Sequence, residues 1–348
     1  MPRSRRLLTY FLCDFRYCSG IMEEPIEQLT RREVLKGLGT ATLGAAAWLT
    51  LRGTMDAAPN PQRRRVLRVA HLTDIHVAPE GNSVRGLLNC LKTVHELQPR
   101  PNLILVGGDV VSDVFAQNES RARVLFDLWM RLVKEHFEIP VRYCIGNHDV
   151  WGWDKSRSGC MGNEPKYGKK WIMDLYELEK PYYSFEQAGW KFIVLDSTFP
   201  HGDGYKGRLD DEQFEWLKGE LQRTPAQMPI LVLSHIPIVC ACALFDGENE
   251  KSGDWVIPGA WVHIDARRIV ELFYQHKNVK LCLSGHIHLY DRVVYNDVTY
   301  ICDGAVSGRW WHGNYHQTPP GWGLIDLYDD GSFESEYRSY PYPIPTGG

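Results

Sequence analysis

Short continuous apolar runs alternate along this chain with stretches whose apolar positions recur every three or four residues. Val66 to Ala70 reads as a short strand. A helix-period stretch follows over 84–97 and is broken by Pro101. Leu103-Ile104-Leu105-Val106 is continuously apolar, as expected of a strand buried on both faces. Residues 119–137 predict a long helix with Leu125, Leu128, Leu132 and Val133 on one side. Val141 to Ile145 predicts a third strand. This β-α-β-α-β order implies an α/β sheet.

Beyond it, Gly- and Trp-rich loops occupy 151–168. A hairpin is predicted from Tyr182–Glu186 and Lys191–Leu195, and helices over Asp210–Leu221 and Ala266–Tyr274. Further strands are expected at Pro229–Leu233, Lys280–Leu283 and Val298–Cys302. A last pair, Gly323–Tyr328 and Ser332–Tyr337, flanks the turn Asp329-Asp330-Gly331. No internal repeat or low-complexity segment interrupts the pattern. The expectation is one continuous domain over 66–340, preceded by a Pro- and Arg-rich linker at 59–65 and followed by a Pro-rich tail at 341–348.

The chemistry sits where the apolar runs end. Asp74-Ile75-His76 follows the first strand, and Gly108-Asp109 the second. Gly146-Asn147-His148-Asp149 follows the third, His235 follows Leu231-Val232-Leu233, and Gly285-His286-Ile287-His288 follows Leu281-Cys282-Leu283. Open α/β sheets place their sites at such strand ends. In extended chain, positions i and i+2 face the same way, so Asp74 and His76 are expected to meet one metal ion. Asp109 has two oxygens and can bridge two ions, with Gly107 and Gly108 allowing a tight turn. All the candidate ligands offer oxygen or imidazole nitrogen and none is a thiolate, which suits Mn, Fe or Zn. Two ions sharing a water would lower its pKa enough to yield hydroxide at neutral pH, a nucleophile for in-line displacement at phosphorus.

In order, spacing and strand context these five blocks resemble the calcineurin-like metallophosphoesterase family over roughly residues 66–330. The resemblance implies a four-layer α/β/β/α sandwich with a di-metal site. It also implies that Asp74, His76, Asp109 and His288 hold one ion, and that Asp109, Asn147, His235 and His286 hold the other. His148 would contact the phosphate and assist departure of the leaving group, with Asp149 orienting it by a hydrogen bond. Asp196-Ser197-Thr198, Gly207-Arg208-Leu209, Gln213 and Trp216-Leu217 resemble the class III cyclic nucleotide phosphodiesterase branch. Purple acid phosphatases place a tyrosine three residues after the aspartate of the second block; here Ser112 stands there, which disfavours a tyrosinate-ligated ferric site. The implied function is hydrolysis of a small phosphate ester, most naturally a phosphodiester. Two alternatives are a phosphomonoester or phospholipid-headgroup hydrolase, and a non-catalytic metal-binding surface protein.

Composition and charge narrow the rest. With 348 residues, 44% hydrophobic and 24% charged, the chain can fill a sizeable core. The net charge is −4, and residues beyond 58 are acidic on balance, which offers no nucleic-acid-binding surface. No stable protein partner is implied. Within residues 1–58, Arg31-Arg32 precede a Gly/Ala-rich apolar run, so that 30–51 resembles the core of a twin-arginine signal. This implies an exported, extracytoplasmic protein that meets the twin-arginine machinery already folded, or a membrane-anchored one if the signal stays uncleaved. Met22 would begin a more usual signal than Met1.

Nine cysteines are present, seven of them beyond the signal. An odd number leaves at least one free thiol, and no disulfide framework is legible. For the substrate pocket the candidates are Trp310, Trp311, His312 and His201, together with Tyr205, Trp151 and Trp153 near the same motifs. The Trp310-Trp311-His312 loop reads equally as packing under the sheet edge. Arg63-Arg64-Arg65 and Lys169-Lys170 read as solvated charge.

Overall fold

A computed structural model describes residues 62–342. In chain order its elements are β1 (Arg65–Leu72), α1 (Ser83–Glu96), β2 (Leu103–Val106), α2 (Glu119–His136) and β3 (Val141–Tyr143). Two short helices follow, α3 (Lys155–Ser158) and α4 (Lys170–Leu175), then β4 (Tyr183–Gln187), β5 (Trp190–Leu195), β6 (Thr198–His201) and β7 (Gly204–Gly207). The second half contains α5 (Asp211–Arg223), β8 (Ile230–Ser234), a 3-10 turn at Cys242–Leu244 and α6 (Ala266–Tyr274). It closes with β9 (Val279–Ser284), β10 (Asp291–Tyr295), β11 (Val298–Cys302), β12 (Gly321–Tyr328) and β13 (Phe333–Ser339).

The strands form two mixed sheets, ordered β13-β12-β1-β2-β3 and β10-β11-β9-β8-β5-β4, with β6 and β7 as a separate hairpin. Alternation along each strand shows how the layers stack. Val69, Leu103 and Leu105 of the first sheet share a core with Phe192, Val194, Leu231, Leu233, Leu281 and Leu283 of the second. Their neighbours Ala70, Ile104 and Val106 turn outward, against Leu87 and Leu91 of α1 and Leu125 and Trp129 of α2. On the far side Ile193, Ile230 and Val232 pack against Leu217 and Leu221 of α5 and Ile269, Leu272 and Phe273 of α6. The result is the expected four layers, helix, sheet, sheet, helix. A strand with both faces covered cannot be amphipathic, which is why Leu103–Val106 is apolar throughout.

Helix starts follow from local chemistry. The Asn118 side chain accepts from the Arg121 backbone N–H at 2.9 Å, and Asp210 from Gln213 at 2.7 Å. Each cap satisfies a donor that the helix leaves open and is worth about 1 kcal/mol. Gln213 closes a second link: its side chain exchanges two hydrogen bonds of 2.9 Å with the Asp196 backbone. The branch-like residues Asp196 and Gln213 thus lock α5 to the end of β5.

Three expectations need correction. The third strand ends at Tyr143 rather than Ile145, because the chain must leave the sheet to deliver Asn147 and His148. The hairpin β6–β7 and the edge strand β10 carried no clean apolar alternation, being half exposed, and were not foreseen. The supposedly solvated cations are mostly paired. Arg63 binds Glu334 and lies over the Tyr328 ring, Arg65 and Arg68 converge on Asp326, and Lys169 pairs with Asp196. The seven described cysteines are free thiols.

One ion-pair cluster makes a pH prediction. Burial raises the Glu220 carboxyl, but a hydrogen bond from Ser184 and pairing with Arg223 and Lys191 outweigh it, so the group is lowered from 4.5 to about 2. A depressed carboxylate stabilises fully above its unfolded pKa and loses that contribution as the pH falls through the folded one. Glu220→Gln should therefore unfold at a lower urea midpoint than wild type at pH 7. The difference should shrink steadily between pH 4.5 and about 2; a gap independent of pH would contradict this origin.

Candidate di-metal active site

The parallel strands of both sheets end on the same edge, and their following loops meet there. Asp74, His76 and His288 offer ligand atoms that all lie within 4.8 Å of one another, and Asp109, His235 and His286 form a second such group. Asn147 joins the second, its Oδ1 lying 3.1 Å from His235 Nε2. Asp109 Oδ2 lies 3.2 Å from His235 Nε2 and 3.9 Å from His76 Nε2, so one carboxylate oxygen faces both groups. Its other oxygen accepts the His148 N–H at 2.7 Å. Asp74 Oδ1 lies 3.3 Å from His288 Nε2.

The backbone at these residues is not extended. Asp74, His76, Asp109, His286 and His288 all have φ between 49° and 71°. That is the left-handed region, uncommon for residues with a Cβ, and such strain persists only where surrounding structure enforces it. The i, i+2 argument therefore brought Asp74 and His76 together for the wrong reason: sharp left-handed bends aim these side chains, not a pleated strand. The same bends separate His286 from His288 into different groups. Glycine makes room. A Cβ on Gly285 would lie 2.1 Å from Thr73 Oγ1 and 2.2 Å from Asp74 Oδ2, and one on Gly108 would lie 2.6 Å from the Gly146 nitrogen.

The residues fit a metal pair. Asp74 Oδ1 is buried without a hydrogen-bond partner, a costly arrangement for an atom that faces no ion. Two imidazole nitrogens, His76 Nε2 and His288 Nε2, lie 3.1 Å apart. Carbonyl oxygens orient several rings: His235 Nδ1 lies 2.8 Å from Gly107 O, His288 Nδ1 2.8 Å from Gly308 O, and His286 Nε2 3.0 Å from Ala260 O. Each such bond places the proton on one nitrogen and leaves the other as a lone-pair donor. Burial lowers His76 and His286 to about 3, which keeps both rings neutral, as ligation requires. Although burial raises both aspartates, the surrounding imidazoles hold Asp74 and Asp109 below the ordinary carboxylate range.

His148 stands beside this cluster, its ring centroid 5.1 Å from that of His76. Burial lowers its pKa, but the Asp109 charge and a hydrogen bond to Asp113 outweigh that and raise it to about 9. The expected partner was Asp149; the structure corrects this. His148 Nδ1 is 3.0 Å from Asp113 Oδ1. Asp149 instead accepts backbone N–H groups from Asp109, Val110 and Gly146 at 2.8, 2.9 and 3.0 Å, tying two ligand loops together. Adjacent side chains on a tight turn diverge, so the neighbour in sequence points inward while a residue from another loop reaches the ring. Asp113 was missed because it lies outside the Gly108-Asp109 pair, at a spacing that carried no signal by itself.

The pocket candidates separate as well. A cavity of about 160 Å³ over the cluster is lined by Asp109, His148, His286 and His288, and by Tyr205, Asp246, Trp261, Trp310 and Tyr315. Trp310 lies across His288, with centroids 4.4 Å apart. Trp311 does not belong to the pocket: it is 7% exposed, donates from Nε1 to the His76 carbonyl at 2.9 Å and covers Gly86 of α1. The left-handed backbone at both tryptophans sends the two rings in opposite directions. His312 and His201 are exposed and do not line the cavity. Trp151 is buried against Trp171, and Trp153 packs on Phe115, so neither walls the cleft. Asp246, Trp261 and Tyr315 come from irregular loops without periodicity, and no sequence signal marked them.

A profile of the calcineurin-like phosphoesterase family matches residues 67–290. The chain belongs to that family. It is similar to a 3',5'-cyclic-nucleotide phosphodiesterase from Nostoc sp., 25% identical over 292 residues that cover 80% of this chain and 94% of the relative. It is also similar to a probable glycerophosphodiester phosphodiesterase from Arcobacter nitrofigilis, 23% identical and covering 69% of this chain and 78% of the relative. A dimetal phosphatase from Danio rerio shares the fold, with a TM-score of 0.52 at 15% identity over 80% of this chain and 100% of that one. The protein is a dimetal phosphoesterase, a metal-dependent hydrolase acting on phosphoester bonds.

The two aspartates at His148 should part company on substitution. Asp113→Asn should keep fold and metal content but lower turnover about 10- to 100-fold, as for loss of a side chain that orients a reacting group. Asp149→Asn should cost about 1–3 kcal/mol in stability through unsatisfied backbone donors and weaken metal retention. Unfolding midpoints and metal content, measured beside turnover, distinguish them; equal effects in both variants would contradict the assignment.

Proposed function

We propose that this protein is a phosphodiesterase in which Asp74, His76, Asp109 and His288 hold one divalent ion and Asp109, Asn147, His235 and His286 the other. The observation that carries the reading is the pair of buried donor groups facing a shared Asp109 oxygen, with His148 alongside and its Nδ1 held by Asp113. Bound ions of this kind supply positive charge for the phosphoryl oxygens and lower the pKa of water. Hydrolysis adds water across the ester, breaking a P–O bond and releasing an alcohol and a phosphomonoester. The departing oxygen needs a proton. His148 Nδ1 is committed to Asp113, so Nε2 is the position that delivers it. The preference for a diester is supported by the lining of the cavity, which contains no lysine or arginine to balance the second charge of a monoester. The names of relatives that act on cyclic nucleotides point the same way.

Metal analysis of purified protein, with turnover of bis(p-nitrophenyl) phosphate and p-nitrophenyl phosphate in added Mn, tests this. Two ions per chain and faster diester turnover are expected. Faster monoester turnover would make the protein a phosphatase, and failure to bind metal would overturn the site. His148→Ala should retain the ions and lose most turnover, whereas Asp109→Ala should lose both.

The twin-arginine reading of residues 30–51 falls outside the described residues, and we propose export on the sequence pattern alone. A reporter fused behind residues 1–65 should leave the cytoplasm, and joint Arg31→Lys and Arg32→Lys substitution should stop it. Unchanged export in the doubly substituted fusion would overturn this part of the proposal.

A further inference from the structure

Beyond the donor groups, the lining of the cavity has a chemistry that phosphate recognition alone does not require. Tyr205, Trp261, Trp310 and Tyr315 contribute aromatic rings, and Asp246 contributes a carboxylate. The carboxylate is held in place. The Tyr315 hydroxyl donates to Asp246 Oδ1 at 2.5 Å, and Asn249 Nδ2 donates to the carbonyls of Ala243 and Asp246 at 2.9 and 2.7 Å. Trp310 and Tyr315 meet edge to face, with centroids 6.2 Å apart, and both reach His288, at 4.4 and 5.7 Å. The aromatic wall therefore begins at the ligand cluster itself. A phosphorus atom held there would carry its ester substituent directly against these rings.

Each alternative occupant meets an obstacle. A second anionic group would face Asp246 with no lysine or arginine in the lining to offset it; Arg309 acts on Tyr315 from outside that lining. A nucleobase could stack on the rings but brings no positive charge to Asp246. A small neutral alcohol would fit but leave the carboxylate unused. A compact cation satisfies all three features, since aromatic rings and a carboxylate together favour an alkylammonium group. We propose that Tyr205, Asp246, Trp261, Trp310 and Tyr315 form a subsite for an alkylammonium substituent, so that the preferred substrate is a small phosphodiester of an amino alcohol such as choline. This rests on the phosphodiesterase reading and specifies its substrate class.

The test compares kcat/KM of the Mn-loaded full chain on sn-glycero-3-phosphocholine and sn-glycero-3-phosphoglycerol, with bis(p-nitrophenyl) phosphate as a reference. Calorimetric titration with phosphocholine and glycerol 3-phosphate adds a readout independent of turnover. The choline ester should be preferred by about tenfold or more, and phosphocholine should bind correspondingly tighter than glycerol 3-phosphate. In Asp246→Asn both ratios should fall to within about twofold of unity, and Trp310→Ala should reduce them in the same direction. Turnover of bis(p-nitrophenyl) phosphate without any preference between the glycerol esters, or a ratio that survives Asp246→Asn, overturns the subsite and leaves the phosphodiesterase standing. No turnover of any diester by protein carrying two ions overturns both.

Discussion

Asp109 places a carboxylate at the meeting point of two sheets, almost wholly removed from water. A charge in that position is expensive unless opposite charge and hydrogen bonds surround it. The neighbouring structure answers that cost. Imidazoles of His76 and His235 face one oxygen and the His148 N–H binds the other. Asp149 then ties the backbone on either side of Asp109 to the turn at Gly146. The left-handed bends at five of the candidate ligand residues follow from the same constraint, because chains leaving parallel strands must turn back sharply to aim at one point. A divalent ion between these groups would satisfy Asp74 Oδ1, a buried oxygen that the protein alone leaves unpartnered.

The four-layer fold supplies the rigidity on which such strain depends. β2, whose following loop carries Asp109, is buried along its whole length, with β1 and β3 on either side. β8 and β9, which lead into His235 and the two histidines after Gly285, lie in the facing sheet across a shared apolar core. A small shift between the sheets would change the distance between the two donor groups, so packing far from the chemistry sets its geometry. The surface proposed to set specificity is built differently. Asp246, Trp261, Trp310 and Tyr315 come from connecting loops, and loops can vary without disturbing the scaffold. One family can thus keep a phosphoester centre and change the group that sits beside it.

Much of this was legible in the chain by itself. The parallel β-α-β-α-β opening, the four principal helices and the strands that flank the site follow from periodicity, because each buried face must be apolar at the spacing its geometry imposes. The eight motif residues from Asp74 to His288 that gather at or beside the donor groups were also readable, because polar groups at the ends of apolar runs have few other reasons to recur in that order. Composition and charge argued against a nucleic-acid role without locating anything.

Tertiary structure decided what depends on direction rather than spacing. Asp149 follows His148 directly and Asp113 lies 35 positions before it, and only the folded loops determine that the first binds backbone and the second the ring. Trp310 and Trp311 are adjacent and chemically alike, yet one lines the cavity and the other fills the core, because two left-handed residues reverse the chain between them. Asp246 and Tyr315 are 69 positions apart and meet through a single hydrogen bond. Periodicity reports which face of an element is buried. It carries no information about loops, where the direction of each side chain follows from backbone torsions that distant contacts impose.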